Sequence, residues 1–253
     1  MNGKLTLVFA FLSLSTWLGF GQQSSDLFAE GNRLYQEEKY EEALTKYQEI
    51  EQHDLVSDAL YYNMANAYYK LNKIAPAVYY YEKVLQRNPL HNDAAFNLSF
   101  AKRMAIDNIE PLPKNIYQKF RDSFVLKLSY NAWAWLGVSF ALLVGVLFLW
   151  YYFTYRTGYK RLFFVSSIVC AGLSLFFVAM AYQNYQYVST TQYAIVYAEE
   201  TEVKTAPSVA GEVSFELHEG TKVQVLERLD NWKKISIADG REGWILEEDI
   251  REL

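Results

Sequence analysis

Few residues of this chain are of types that could carry covalent chemistry, and their spacing argues against a catalytic site. The three histidines, His53, His91 and His218, lie far apart and lack the spacing of a metal site. Cys170 lies in an apolar stretch without a nearby histidine, where burial disfavours a thiolate nucleophile. The sequence contains no phosphate-binding, serine-hydrolase or zinc-protease motif. We therefore predict a protein that is not an enzyme and that uses no cofactor or metal.

Two uncharged apolar runs, 132–153 and 162–182, predict membrane spans. As a helix, each run is long enough to cross a hydrocarbon core of about 30 Å. Tryptophan and tyrosine cluster at their ends, as they do at membrane interfaces. The alternative is a pair of buried core helices, but nothing else in the chain could cover two such apolar cylinders.

The predicted loop between the spans, 154–161, contains three cations and no acidic residue, although the formal net charge of the chain is −5. The cations are Arg156, Lys160 and Arg161. Short basic loops prefer the cytoplasm, so we expect these three residues to determine the topology. Four cations also precede the first span, namely Lys114, Lys119, Arg121 and Lys127. They reduce the difference in positive charge between the two sides of that span.

Residues 1–21 have the composition of a signal peptide, with Lys4 before an apolar stretch and Gly19 and Gly21 before a cleavage point at Gln22. An uncleaved anchor is the alternative. Export of the following segment would place both outer segments, 22–131 and 183–253, in the periplasm. We therefore expect a protein of the bacterial inner (cytoplasmic) membrane with two spans.

Residues 22–106 repeat with a period of 34 residues. Small and large residues recur at that spacing in the pairs Gly31 and Ala65, Leu34 and Tyr68, Ala43 and Ala77, Tyr47 and Tyr81, and Ile50 and Val84. A third copy begins at "NDAAFNLSFAKRM" and stops after its first helix. The segment resembles the tetratricopeptide repeat, which implies an all-α stack of helix pairs.

This resemblance implies a concave groove for an extended peptide, lined by the first helix of each pair. The expected protein-binding residues are Phe28, Asn32, Tyr35, Gln36, Tyr62, Asn66, Tyr69, Lys70, Phe96, Phe100 and Arg103. The amides of Asn32 and Asn66 could pair with donor and acceptor groups of a peptide backbone. Alternatively, some of these aromatic residues pack against a neighbouring repeat. Phe28 and Asp93 stand where a carboxylate clamp needs cations, so we expect no C-terminal carboxylate ligand.

Two and a half repeats leave an apolar face that something else should cover. The predicted linker 107–131 contains an amphipathic helix with an apolar stripe of Ile116, Phe120, Phe124 and Leu128. That stripe could cap the repeats or lie on the membrane surface. We favour the membrane surface, because the prolines of "EPLPKN" separate the helix from the repeats.

After a short linker, 183–190, residues 191–253 alternate apolar and polar side chains between turn signals. The order of "VKTAPS", "LHEGTKVQVL", "WKKISI" and "DGREGWI" resembles the bacterial SH3-like domain, which implies a small all-β barrel. The chain has "VKTAPS" where that family shows "NVRSGPS", and fourteen acidic residues stand against seven basic ones, which disfavours peptidoglycan. Trp232 and Trp244 could form a ligand-binding pair, but we expect them in the core.

The whole chain is therefore expected to be multidomain, with all-α tetratricopeptide repeats, a two-helix transmembrane hairpin and a small all-β SH3-like barrel. This order resembles the BatE-like proteins of the Bat aerotolerance operon. The resemblance implies partners among membrane proteins with von Willebrand A domains and among tetratricopeptide Bat proteins. We expect a non-catalytic scaffold for protein–protein interactions in the cell envelope, anchored in the lipid bilayer by the hairpin. The alternative is an envelope sensor whose SH3-like domain binds a wall or peptide ligand. The pI near 5.4 argues against nucleic acid.

Overall fold

The computed structural model describes residues 24–53 and 55–253. They form a helical stack, a long apolar hairpin and a C-terminal antiparallel sheet, so the expected fold classes of the three parts are confirmed. The predicted signal peptide, 1–21, lies outside the described residues.

The stack contains five helices: α1 over residues 24–36, α2 (Tyr40–Gln52), α3 (Asp58–Lys70), α4 (Ile74–Arg87) and α5 (Asn92–Met104). The turns α1–α2 and α3–α4 each contain one residue with positive φ, Glu38 at 61° and Asn72 at 58°. These two residues are 34 positions apart, so the backbone conformation of the turn repeats with the same period as the sequence.

Alternating small and large side chains build the core of the stack. Ala43 and Ala77 are fully buried, and so are the rings of Tyr47 and Tyr81, four residues further along each helix. Gly31 is required by a close approach, because a Cβ there would lie 2.5 Å from a carbon of the Tyr47 ring. The first two helix pairs therefore pack in the same way.

The predicted amphipathic helix is shorter than expected. Helix α6 (Ile116–Ser123) begins with a capping box between Asn115 and Gln118, and a 3-10 turn, Val125–Lys127, follows it. The continuous helix through Leu128 is therefore corrected to two pieces. The break lets the ring of Phe124 lie 5.4 Å from that of Trp133, beside the hairpin and away from the repeats.

The apolar hairpin consists of α7 (Tyr130–Phe153) and α8 (Thr157–Thr190), both long and apolar enough to cross a membrane. Their lengths of 24 and 34 residues correspond to about 36 and 51 Å. The residues of the predicted linker, 183–190, are helical and continue α8. Buried Asn184 explains the continuation, since its Nδ2 donates to the carbonyl oxygens of Val125 (2.9 Å) and Leu128 (2.7 Å).

The C-terminal strands are β1 (Gln192–Val196), β2 (Glu200–Lys204), β3 (Val213–His218), β4 (Lys222–Leu229), β5 (Trp232–Ser236), β6 (Glu242–Leu246) and β7 (Ile250–Glu252). We call residues 192–253 the β-domain. They form one antiparallel sheet in the order β3-β2-β6-β5-β4-β1-β7, with β3 and β7 at its edges. The expected closed barrel is therefore corrected to an open sheet. Register shifts after Val203 and Val225 curve the sheet, and fully buried Val203, Ile235 and Ile245 fill its interior without closure.

The β-domain covers the end of the repeat stack, where no further helix pair follows α5. Ile195 of β1 is fully buried in the hydrophobic cluster of the repeats. Gly220, with φ of 85°, brings a turn so close that a Cβ would lie 2.9 Å from Ile74 Cγ2. Lys73 provides no side-chain cap for α4, and Glu219 accepts a hydrogen bond from the Ala75 amide instead (3.3 Å). The β-domain, and not the amphipathic helix, completes the stack.

Candidate functional site

The inner face of the stack contains a concavity of about 380 Å3 between the first helices of the pairs. We call this concavity the groove. Its lining side chains are Tyr35, Tyr62, Asn66, Tyr69, Lys70, Tyr81, Asn97 and Phe100. Six residues that the repeat pattern assigned to a ligand-binding surface, Tyr35, Tyr62, Asn66, Tyr69, Lys70 and Phe100, are thus brought together.

The amide oxygen of Asn32 is bonded within the fold. Its Oδ1 accepts hydrogen bonds from the hydroxyl of Tyr47 and from Nδ2 of Asn63, both at 2.8 Å. Tyr47 belongs to the same helix pair and Asn63 to the next pair. The oxygen of Asn32 therefore links two repeats, and its acceptor capacity is used within the fold.

The same arrangement recurs 34 residues later around Asn66. Its Oδ1 accepts from the hydroxyl of Tyr81 (2.5 Å) and from Nδ2 of Asn97 (3.0 Å), and Asn97 also donates to the Tyr62 hydroxyl (3.2 Å). Sequence reasoning missed the roles of Asn63 and Asn97. Their own 34-residue spacing, the same as that of Tyr47 and Tyr81, was the signal that could have found them.

The other five predicted residues lie outside the groove. Phe28 packs at 6.0 Å from the Tyr47 ring, so it belongs to the repeat core, whereas Gln36 is exposed on α1. Phe96 is 64% exposed, and its ring lies 4.8 Å from that of Phe100. The Arg103 guanidinium stacks 4.4 Å from the Phe100 ring. Phe96 and Arg103 therefore extend an aromatic and cationic surface beyond the groove.

Electrostatics leave the groove with neutral hydroxyls and a single fixed charge. Burial raises the pKa of Tyr35 and of Tyr81, so these two groove hydroxyls stay protonated at neutral pH. Exposed Lys70 has no ion pair with any side chain in the described part of the chain. The groove can therefore contribute hydroxyl hydrogen bonds, flat aromatic area and one cation.

The β-domain meets α4 and α5 at a surface that we call the contact face, where the carboxylates of Glu82 and Asp107 have partners on the β-domain. The Glu82 carboxylate is buried and binds Nζ of Lys102 and Nζ of Lys222, each at 2.7 Å. Burial alone would raise the pKa of this carboxyl, but the two ammonium groups lower it to about 2. The repeats and the β-domain thus share one carboxylate.

Asp107 makes a second connection across the contact face. Its carboxylate accepts hydrogen bonds from the His218 amide (2.8 Å) and from the Thr221 hydroxyl (2.6 Å), and it lies 2.8 Å from His218 Nδ1. Nearby, the Arg251 guanidinium lies 4.5 Å from the ring of Tyr79. Sequence reasoning missed the contact face, because its partners are far apart in the chain and follow no period.

Of the predicted topology residues, Arg156 lies between α7 and α8, whereas Lys160 and Arg161 lie in the first turns of α8. The predicted loop 154–161 is therefore corrected to residues 154–156, because α8 begins at Thr157. Lys160 Nζ is 5.0 Å from the centroid of the Tyr151 ring. Of the histidines, His91 caps α5 by accepting from the Ala94 amide (3.2 Å). Among the described residues, no group of three or more His, Cys, Asp or Glu side chains could hold a metal ion.

Comparison with known families identifies two modules. Residues 199–251 match the bacterial SH3 domain, and residues 59–90 match the tetratricopeptide repeat. The second match covers α3 and α4, and the Asn32 contacts show that α1 and α2 pack in the same way. No similar protein is found among the curated proteins. Both modules are typically non-catalytic and bind proteins or other ligands.

Proposed function

We propose that this chain is a membrane-anchored, non-catalytic scaffold whose groove binds an extended segment of another envelope protein. The observation that carries the proposal is the groove itself, where six predicted residues meet around about 380 Å3. Tyrosines provide contact area with polar tips, which suits the mixed surface of an extended peptide. Phe100 and the stacked Arg103 would lengthen the track for side chains of the ligand.

The proposed location is the bacterial inner membrane, with both soluble modules in the periplasm and the cationic bend in the cytoplasm. The apolar hairpin supports this location, because its outward side chains need an apolar medium. The contact face supports a common side for the modules, since they could not touch across a bilayer.

The proposed partners are the proteins that the Bat-type domain order implies, with von Willebrand A domains or tetratricopeptide repeats. In such an aerotolerance or stress complex, the hairpin would hold the groove close to partners in the same membrane. Anchoring raises the effective concentration of the partners, so a small groove can support stable assembly.

A test compares groove variants with matched surface variants of the full-length chain. Lys70→Ala combined with Phe100→Ala removes the groove cation and an aromatic wall, whereas Lys73→Ala combined with Leu90→Ala changes exposed residues outside the groove. Each protein is co-expressed with the Bat-type von Willebrand A and tetratricopeptide proteins and isolated in detergent. We expect the groove pair alone to lose the partners. Equal recovery with both pairs would reject the groove. Asn32 and Asn66 are unsuitable for this test, because their oxygens support the fold.

A second candidate is a sensor whose β-domain binds a wall fragment or a peptide. One observation favours it: Thr191 alone separates α8 from β1, and the hydroxyls of Tyr187 and Tyr193 lie 2.8 Å apart across that junction. A ligand on the β-domain could therefore shift the hairpin. Retention of the full-length protein on purified peptidoglycan would support this candidate, and a scaffold should pass through.

A further inference from the structure

The bend between α7 and α8 contains a second concavity, far along the chain from the groove. It measures about 310 Å3 and is lined by Tyr151, Thr157, Lys160, Arg161 and Phe164. Lys160 Nζ lies 5.0 Å from the Tyr151 ring centroid, a contact that favours an ammonium at this position. We call these five residues the bend pocket; it has aromatic walls and two cations.

The charge of the bend pocket is not balanced within the chain. No aspartate or glutamate occurs between Asp122 and Glu199. Neither Lys160 nor Arg161 has an ion pair with any side chain that the structure describes. Two neighbouring cations repel each other, so an anion from outside the chain would be held favourably between them.

The surroundings of the bend pocket indicate where that anion comes from. Apolar helices extend away from the pocket, and the aromatic side chains around it are exposed, with Tyr155 97% accessible. Exposed Trp150 and Tyr152 add to this belt, which is typical of the level of lipid headgroups. An anion at that level is the phosphate of a phospholipid.

We propose that the bend pocket binds the headgroup phosphate of an anionic phospholipid. The Arg161 guanidinium can bind two phosphate oxygens, Lys160 adds a point charge and the Thr157 hydroxyl can donate a hydrogen bond. Tyr151 and Phe164 contact the glycerol and the first acyl carbons. The two cations repel the ammonium of phosphatidylethanolamine, so the pocket prefers phosphatidylglycerol. This inference rests on the proposed membrane crossing by the hairpin.

The test uses the full-length protein in mild detergent, titrated separately with phosphatidylglycerol and phosphatidylethanolamine. Native mass spectrometry measures the bound lipid. We expect tighter binding of phosphatidylglycerol, and a loss of about fivefold for each cation removed in Lys160→Gln and Arg161→Gln. Lys119→Gln with Lys127→Gln is the control, because it removes two exposed cations at the opposite end of the hairpin.

Further variants and conditions separate the sources of phosphate and of failure. Thr157→Val with Phe164→Ala keeps both cations, and it should weaken lipid binding while leaving the charge of the bend unchanged. Excess inorganic phosphate should not displace the lipid, since it lacks the glycerol and acyl contacts. Resistance of the protein to carbonate extraction from membranes checks insertion separately.

Each outcome supports or overturns the proposal. Preference for phosphatidylglycerol that is lost in the bend variants and kept in the lysine control supports it. Equal binding of both lipids, equal loss in the control, or displacement by inorganic phosphate overturns it. If carbonate releases the protein, the membrane anchor of the proposed function fails; lipid indifference of an inserted protein overturns only the bend pocket.

Discussion

The groove and the contact face belong to the same repeat stack and contain similar side chains, but they differ in whether their polar groups have partners within the chain. In the groove, Lys70 has no ion pair among the described residues and the tyrosine rings are partly open. On the contact face, buried Glu82 binds two lysines and Asp107 accepts hydrogen bonds from the β-domain. Partnered groups hold the modules together, whereas open groups remain available to a ligand. Variants of the contact face should therefore change stability, and variants of the groove should change binding.

The largest expected effect is that of Glu82→Ala. It leaves Lys102 and Lys222 facing each other without the carboxylate between them. Each charge-assisted hydrogen bond to the carboxylate contributes about 1.5–3 kcal/mol, so the loss of both should cost about 3 kcal/mol of unfolding free energy. Water solvates the two lysines that remain, because their side chains are 45% and 30% exposed. Denaturant unfolding of the full chain in detergent, followed by circular dichroism, measures the loss.

Glu30→Ala is the control for this change, because Glu30 forms an exposed pair with Lys46 at 3.5 Å. The control should cost at most about 1 kcal/mol. The unfolding contribution of Glu82 should also fall as the pH drops from about 4.5 towards its folded pKa of about 2, where the carboxyl becomes protonated. A Glu82 variant as stable as the control would contradict the comparison.

Asn66→Ala should have the next largest effect, although Asn66 lines the groove. Removing its oxygen leaves the Tyr81 hydroxyl, on a fully buried ring, without its acceptor. An unsatisfied buried donor costs about 1–3 kcal/mol. Unfolding of the single variants and of Asn66→Ala with Tyr81→Phe measures the coupling, and we expect the double variant to cost less than the sum. Additive losses would show that the hydrogen bond is not the cause.

The sequence predicted those contacts whose residues recur at a regular spacing. The 34-residue spacing predicts the helix pairs, their small-large packing and six of the residues in the groove. It also contained the Asn32 and Asn66 contacts, because their donors repeat at the same spacing. What the spacing could not separate was an amide that binds a ligand from one that joins neighbouring repeats, since both roles need the same inward position.

The sequence was uninformative where a contact joins distant segments. Glu82 and Lys222 are 140 residues apart, and nothing in either local pattern pairs them. The extension of α8 was missed for a different reason. Polar residues after 182 suggested a linker, but Asn184 is buried by carbonyl groups of the turn before α7, a tertiary contact that supports the helix.

A smaller effect, dependent on pH, is expected at Asp107 and His218. The hydrogen bond with Asp107 raises the pKa of His218 above its usual 6.5, and Glu200 and Glu216 act in the same direction. This stabilisation is complete below pH 6.5 and is lost as the pH rises through the folded pKa. Burial opposes ionisation of Asp107, but its hydrogen bonds lower its pKa below 3.8, so its own contribution disappears only in acid.

His218→Gln should therefore lower the Tm more at about pH 5 than at about pH 9. Thermal unfolding of both proteins across this range measures the difference. A loss of Tm that does not change with pH would mean that the charge of His218 plays no part in the contact.

The smallest effect on stability is expected for Lys70→Ala, with Lys102→Ala as its matched lysine. Both lysines belong to the stack, but Lys102 binds Glu82 whereas Lys70 has no ion pair among the described side chains. Water solvates the Lys70 ammonium in the folded and unfolded states alike, so its removal should change the unfolding free energy by at most about 0.5 kcal/mol. Lys102→Ala removes a charge-assisted hydrogen bond and should cost about 1.5–3 kcal/mol. Equal losses of unfolding free energy in the two variants would contradict the difference between the groove and the contact face. Lys70 would then stabilise the fold and would not be available to a ligand.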